Sequence, residues 1–377
     1  MKSLMKLVFG KKYSYPAPLK VTSKDKTFIW TLLIGFIVSM VVVPYPSIAM
    51  WVGFIFAGYA AIANDSIQTI GTFIASNSDK KWYWLWLFLG SIFVATVGYS
   101  WVVYGGDVTH QRLSAKGFEV APTSFHYLQL IAPLLLLMLT RLKMPVSTTF
   151  LLLSSFATTS GIGSALFKSL SGYVLAFVLG FLVFIIISKL TVRCLKDKAS
   201  EWWTPIQWSV SGLLWSIWLM QDAANIAVYL PRSLNVFEFL AFTSIIVIGL
   251  GVLLWKRGGK IQQLVTEKSI VTDVRAATMI DFLYCIILFY FKLYSKVPMS
   301  TTWVFIGLLG GREVAMAVWK SANNGFMGTL KLVSKDVLYA GIGLTVSILI
   351  AVMVNDNVSL SDISIQFTNQ LNKLIKL

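Results

Sequence analysis

Ala63-Asn64-Asp65-Ser66-Ile67-Gln68-Thr69 closes an apolar run, Phe54 to Ala63, with a carboxylate between two amides. Gln221-Asp222-Ala223-Ala224-Asn225 does the same after Leu213 to Met220. Each stretch has a later companion. Pro145-Val146-Ser147-Thr148-Thr149 begins 80 residues after Asp65, and Pro298-Met299-Ser300-Thr301-Thr302 begins 76 residues after Asp222. The two Asp residues lie 157 positions apart and the two prolines 153. A nearly constant offset at two independent landmarks identifies a duplicated unit. Each half then contributes one carboxylate and one Ser-Thr-Thr tip to a shared site.

The surroundings of these motifs are those of a membrane protein. The chain is 56% hydrophobic and only 13% charged, with a mean hydropathy of +0.74. A soluble domain of 377 residues has no interior large enough for that much apolar surface. Phe28 to Val43, Trp82 to Val103, Leu128 to Leu139, Val174 to Ile187, Phe237 to Leu254, Phe282 to Phe291 and Leu338 to Val354 are almost free of charge. Several approach the roughly 20 residues that cross a bilayer's hydrocarbon core. The net charge of +16 resides at the ends of these runs, where it orients and anchors spans, and no basic face interleaved with aromatics points to nucleic acid. Trp82-Tyr83-Trp84 and Trp202-Trp203 fit interfacial belts. Cys194 and Cys285 make no disulfide framework, and His110 and His126 are too isolated for a zinc site.

The fold expected is an all-α integral membrane protein of two inverted repeats with broken or re-entrant helices. Residues 1–27 form a basic N-terminal segment with seven Lys, placed in the cytoplasm by the positive-inside rule, and show no cleavable signal peptide. Residues 28–45 read as the first transmembrane helix, 51–188 as repeat one, 189–206 as the inter-repeat loop and 207–354 as repeat two. In the tail, 355–377, Phe367, Leu371 and Leu374 recur at helical spacing, which fits a helix on the membrane surface as well as a frayed terminus.

A carboxylate within an apolar segment is costly and normally has a partner or a function. The natural role of Asp65 and Asp222, in matching repeat positions, is to bind Na⁺ or carry H⁺. Asn64 and Gln68 share one helix face, as do Gln221 and Asn225, and amides offer both donors and acceptors. Gly71-Thr72 is expected to break the first motif's helix, whereas the second meets Pro231-Arg232. A Pro followed by Ser-Thr-Thr suits a helix start, whose unpaired N–H groups and dipole attract anions. Arg141, Lys143 and Arg232 flank the motifs, as snorkelling side chains or as anion contacts. Thr158-Thr159-Ser160-Gly161 continues the first tip segment, and Gly310-Gly311-Arg312-Glu313 reads as either an internal ion pair or a loop.

At these residues the chain resembles the inorganic phosphate transporter family of sodium- or proton-coupled symporters. That family carries Gly-Ala-Asn-Asp-x-x-Asn and Pro-x-Ser-Thr-Thr signatures in each of two repeats. Here the copies are Ala63-Asn64-Asp65 with Gln68, Gln221-Asp222 with Asn225, and two intact Ser-Thr-Thr tips, spanning about Trp51 to Val354. The resemblance implies that Ser147, Thr148, Thr149, Ser300, Thr301 and Thr302 cradle an anion near mid-membrane. It implies that Asp65 and Asp222 hold coupling cations, Na⁺ if the protein is sodium-coupled, with Asn64, Gln68, Gln221 and Asn225 lining the same site. Ile62 and Met220 replace or border expected glycines, Val228-Tyr229 replaces a small pair, and Phe150 and Trp303 follow the tips, all of which enlarge or grease the lining.

The function expected is therefore cation-coupled symport of an inorganic oxyanion, most simply phosphate. Sulfate or another anion is the near alternative, and a transport-inactive sensor or scaffold on the same fold a third. A membrane prenyltransferase also uses two Asn-Asp motifs but needs several carboxylates per motif to hold Mg²⁺, and each motif here has one. The chain is thus not expected to be an enzyme. Its expected partners are the anion, Na⁺ or H⁺, membrane lipid and a second copy in a homodimer, with no cofactor beyond Na⁺, at the plasma (inner) membrane.

Overall fold

The computed structural model describes residues 23–142, 144, 146–194, 199–256, 274–318, 325–355 and 358–375, without the side chains of 23–25, 66–68, 187–194 and 373–375. The structure is helical throughout, with no strand among the described residues. Helix α1 is Ser23–Val42 and α2 is Pro46–Ala61, followed by a π-helical turn, Ile62–Ser66, and α3, Ile67–Ser76. Helices α4 (Trp82–Val103) and α5 (Tyr127–Arg141) lead to a four-residue helix, α6 (Thr148–Leu151), and a 3₁₀ turn, Leu153–Phe156. The long α7 (Thr159–Cys194) precedes α8 (Trp203–Ala227), α9 (Val236–Trp255), α10 (Val274–Tyr294), α11 (Thr301–Val318), α12 (Gly325–Val354) and α13 (Leu360–Ile375).

Local chemistry explains the starts. Pro46 opens α2, where its missing N–H costs no hydrogen bond. Asn235 and Glu238 cap α9 reciprocally, and His126 and Gln129 do the same for α5. Among the described residues, six stretches are long and apolar enough to cross a membrane: Pro46–Asp65, Trp82–Val103, Thr159–Ile186, Val236–Trp255, Val274–Tyr294 and Gly325–Val354. Ile34, Ile37, Met40, Leu87, Val178 and Ile248 are exposed on the helix surfaces, as lipid-facing side chains are. The protein is an integral membrane protein.

Polar and small residues hold the interior together, as helices in lipid require. Helices α7 and α11 approach each other closely through glycines. A methyl added at Gly180 would lie 2.6 Å from Leu308 O. One added at Gly311 would lie 2.8 Å from Phe181 N and nearer still to Phe177 O. Gly307 and Gly311, one turn apart, thus let the two backbones touch, and the ridge pins the second Ser-Thr-Thr helix to repeat one.

Several sequence expectations change. Gly71-Thr72 does not break its helix: both lie inside α3, and the irregularity comes earlier, in the π turn that carries Asp65. Helix α7 runs on to Cys194 and α8 starts at Trp203, so the loop expected at 189–206 is shorter at both ends. Residues 310–313 are helical, and Arg312 pairs with Glu313 at 3.2 Å. The tail forms the helix that its spacing allows, over Leu360–Ile375. Helix α13 docks on α7 through the Phe167 and Phe367 rings, 6.0 Å apart, and buries Ile363. Thr158 leads into α7: its carbonyl accepts the Ile162 N–H at 3.0 Å, and its own N–H donates to Gly117 O at 2.9 Å. The expected basic segment 1–27 lies mostly outside the described residues, as do Lys143 and Pro145.

Candidate functional site

Each half of the chain builds the same small unit. Ser147 caps α6 by accepting the Phe150 N–H at 3.3 Å, and Ser300 caps α11 by accepting the Trp303 N–H at 3.2 Å. The serine oxygens thus accept from the backbone, and the next residue of each tip faces the carboxylate. Thr148 donates its hydroxyl hydrogen to Asp65, and Thr301 donates to Asp222 at 2.5 Å. An amide of the same motif adds a second donor. Asn64 reaches Asp65 at 2.8 Å, and Asn225 reaches Asp222 at 2.6 Å.

The two units are joined. Asn225 Nδ2 also donates to Thr148 Oγ1 at 2.9 Å, which links repeat two to repeat one. Thr302 of the second tip also faces Asp65. Thr149 donates across to Met299 O at 3.0 Å, and Asn64 ties the motif to the first tip through Val146 O at 3.2 Å. The carboxylates lie within electrostatic range of each other, 2% and 3% exposed. Two buried anions at such proximity require a cation or a proton.

The donor set fits a hard cation. Gln221 binds Leu288 O through its nitrogen at 3.0 Å, which leaves its buried Oε1 without a partner, and Asn225 Oδ1 is likewise unpartnered. Orphaned amide oxygens on the motif that carries a buried carboxylate are what an alkali cation would collect. A cavity of about 20 Å³ adjoins Asp222, lined by Ala61, Ile62, Phe93, Trp215, Trp218 and Ile226 among others.

The structure therefore gathers Asn64, Asp65, Thr148, Asp222, Asn225, Thr301 and Thr302 into one network and sets Ser147, Thr149, Ser300 and Gln221 around it. The side chain of Gln68 lies outside the described residues. Of the flanking cations, Arg141 stacks on the Phe28 ring at 4.1 Å, and Arg232 binds the carbonyls of Val228, Leu230 and Val120. Neither reaches the network.

Sequence reasoning missed five residues here. Trp218 Nε1 donates to Thr301 Oγ1 at 3.3 Å, and the Tyr284 hydroxyl donates to Thr301 O at 3.0 Å. Asp281, fully enclosed, accepts from Thr72 and Ser211 at 2.6 Å each and ties α3, α8 and α10 together. Arg112 and Lys168 are buried basic side chains that bond the segment leading into the second tip. A lone charge inside an apolar run was the signal for Asp281 and Lys168. Arg112 arrives on the loop between α4 and α5, which Asp107 shapes by accepting from Thr109 N, Thr109 Oγ1 and Gln111 N. Burial lowers the Arg112 pKa to about 10, partly offset by Asp222, so the guanidinium stays cationic at neutral pH.

Fold and site together define a polytopic helical membrane protein with two carboxylate–hydroxyl units meeting in its interior. Among solved structures the chain is similar to one described as the sodium-dependent phosphate transporter, with a TM-score of 0.53 and 19% sequence identity. The match covers 86% of this chain and 99% of the other, and at that identity it establishes a shared fold. No protein-family model matches the chain, and no curated protein matches it in sequence.

Proposed function

We propose that the protein is a divergent inorganic phosphate transporter built of two inverted repeats, a symporter that moves phosphate with Na⁺ or H⁺. One observation carries this reading. Thr148 and Thr301, the matching residues of the two tips, spend their hydroxyl hydrogens on Asp65 and Asp222. A hydroxyl has one hydrogen to give. While the carboxylates are ionised, both hydroxyls serve them and neither serves an anion. A Na⁺ or a proton on each carboxylate takes over that role and releases the hydroxyls to rotate toward phosphate oxygens. Anion binding then depends on prior cation binding, the requirement for symport. The fold shared with a sodium-dependent phosphate transporter supports the same reading.

The test is uptake into proteoliposomes. Radiolabelled phosphate should enter only with an inward Na⁺ or H⁺ gradient, and Asp65→Asn or Asp222→Asn should abolish accumulation. Accumulation that persists in both variants excludes the coupling role. Sulfate taken up in preference to phosphate would keep the mechanism and change the substrate.

A further inference from the structure

Arg112 and Lys168 pose an electrostatic problem that the proposed symport cycle does not yet use. Arg112 is 1% exposed and Lys168 5%. Arg112 Nε donates to Met220 O at 3.2 Å and Nη1 to Ser295 O, while Lys168 Nζ donates to Ser295 O at 2.9 Å and Val297 O at 2.6 Å. All these acceptors are neutral carbonyls. Neither cation forms an ion pair with a carboxylate among the described residues. Arg112 Nη2 is buried with no hydrogen-bond partner at all. Two basic groups that share one carbonyl in a low-dielectric interior oppose each other's charge, and Asp222 is the carboxylate within electrostatic range of Arg112.

Their position supplies the meaning. Met220 immediately precedes Gln221-Asp222, and Ser295 to Val297 lead directly into Pro298-Met299-Ser300-Thr301-Thr302. The pair therefore grips both motif segments of repeat two at their starts. Toward the surface lie half-buried Lys292, within electrostatic range of Arg112, and exposed Lys296, bonded to Gln111. Basic groups thus run inward from Lys296 to the segment that leads into the second tip. The backbone is also unusual here: His110 and Gln111, at φ 52° and 61°, are both in the left-handed region immediately before Arg112. Such strain in residues other than glycine persists only where the surrounding structure enforces it.

We infer that Arg112 and Lys168 form an anion subsite for an inorganic oxyanion of the phosphate or sulfate class, with Arg112 Nη2 as its free donor, beside the second Ser-Thr-Thr tip. This rests on the symporter reading and extends it. Arg112 Nη2 offers its N–H donors to a tetrahedral oxyanion, and a bound anion favours the ammonium form of Lys168 beside it. Asp222 is the carboxylate that Arg112 feels. A cation on Asp222 removes the charge that would repel the anion, so each ion favours the other's binding.

The experiment uses the full chain in detergent with saturating Na⁺ and labelled inorganic phosphate at equilibrium. Arg112→Gln and Lys168→Gln should each weaken binding by about 10-fold or more, as expected for loss of a charge-assisted hydrogen bond. Affinity unchanged in both variants overturns the subsite and leaves the symporter reading standing. Failure of the wild-type chain to bind phosphate or sulfate overturns both. A second arm needs no variant: wild-type crystals soaked in selenate should show anomalous density within hydrogen-bond reach of Arg112 Nη2 and Lys168 Nζ. Density confined to the Thr148 and Thr301 hydroxyls, or none, overturns the subsite.

Discussion

Asn225 donates to Thr148 at 2.9 Å, so an amide from the second repeat holds the hydroxyl that the first repeat offers to Asp65. The two carboxylates are consequently read by one continuous chain of hydrogen bonds, from Asp65 through Thr148 and Asn225 to Asp222 and Thr301.

Thr148→Val keeps the shape of this residue and removes its hydrogen. It should lower phosphate uptake by at least about 10-fold, since Asp65 loses a donor and Asn225 an acceptor in a buried site. Thr345→Val, at an exposed hydroxyl that bonds only to its own helix at Gly341 O, serves as the matched control and should leave uptake unchanged. Equal uptake by both variants would refute the relay.

Acid should destabilise the protein through His110. Burial first, and Lys292 second, lower this imidazole from 6.5 to about 4 in the folded chain, against the favourable contacts of Thr96 O and Asp107. Between those values the unfolded state binds the proton and the folded state does not. Stability therefore rises with pH across that window and is lost as pH falls through it. The thermal midpoint in detergent should drop from about pH 6.5 to pH 4, and His110→Asn should remove part of that drop. An identical pH profile in the variant would exclude His110 as a source.

Gly311→Ala should damage folding. The new methyl has no space against the backbone of Phe177 and Phe181, and overpacking of this kind costs about 1–3 kcal/mol. Gly341→Ala, with nothing within 4 Å of its added carbon, should be neutral or stabilise by up to about 1 kcal/mol. Thermal unfolding of the two variants side by side checks the contrast.

Asp281 should behave as a structural carboxylate. Asp281→Ala leaves the Thr72 and Ser211 hydroxyls without their acceptor, at about 1–3 kcal/mol each, and should lower the yield of folded protein. Asp281→Asn preserves an acceptor and should transport phosphate with unchanged cation stoichiometry. Loss of coupling in the Asn variant would instead give this residue a place in the ion cycle.

The duplicated motifs were readable because chemistry and spacing repeat together: Asp65 with Thr148 and Asp222 with Thr301 each recur as a unit, and the structure bonds each pair. Arg112 was not readable. Its position follows from a loop folded around Asp107 and two left-handed residues, and neither has a periodic signature. Gly71 misled for a physical reason. A glycine weakens a helix by only about 1 kcal/mol, which packing readily overrides, and its neighbour Thr72 is anchored to Asp281 at 2.6 Å.

The π turn at Ile62–Ser66 has no counterpart at Asp222, where α8 continues unbroken to Ala227. Such a turn accommodates one surplus residue, and each residue of an α-helix turns the chain by about 100°. Deleting one residue there would straighten the first helix and swing Asp65 by more than a quarter circle away from Thr148. The like-placed acids of the two halves thus reach a common point by unlike backbone paths. In both halves the acid meets the tip threonine, and in the first the main chain is re-phased by one residue where they meet.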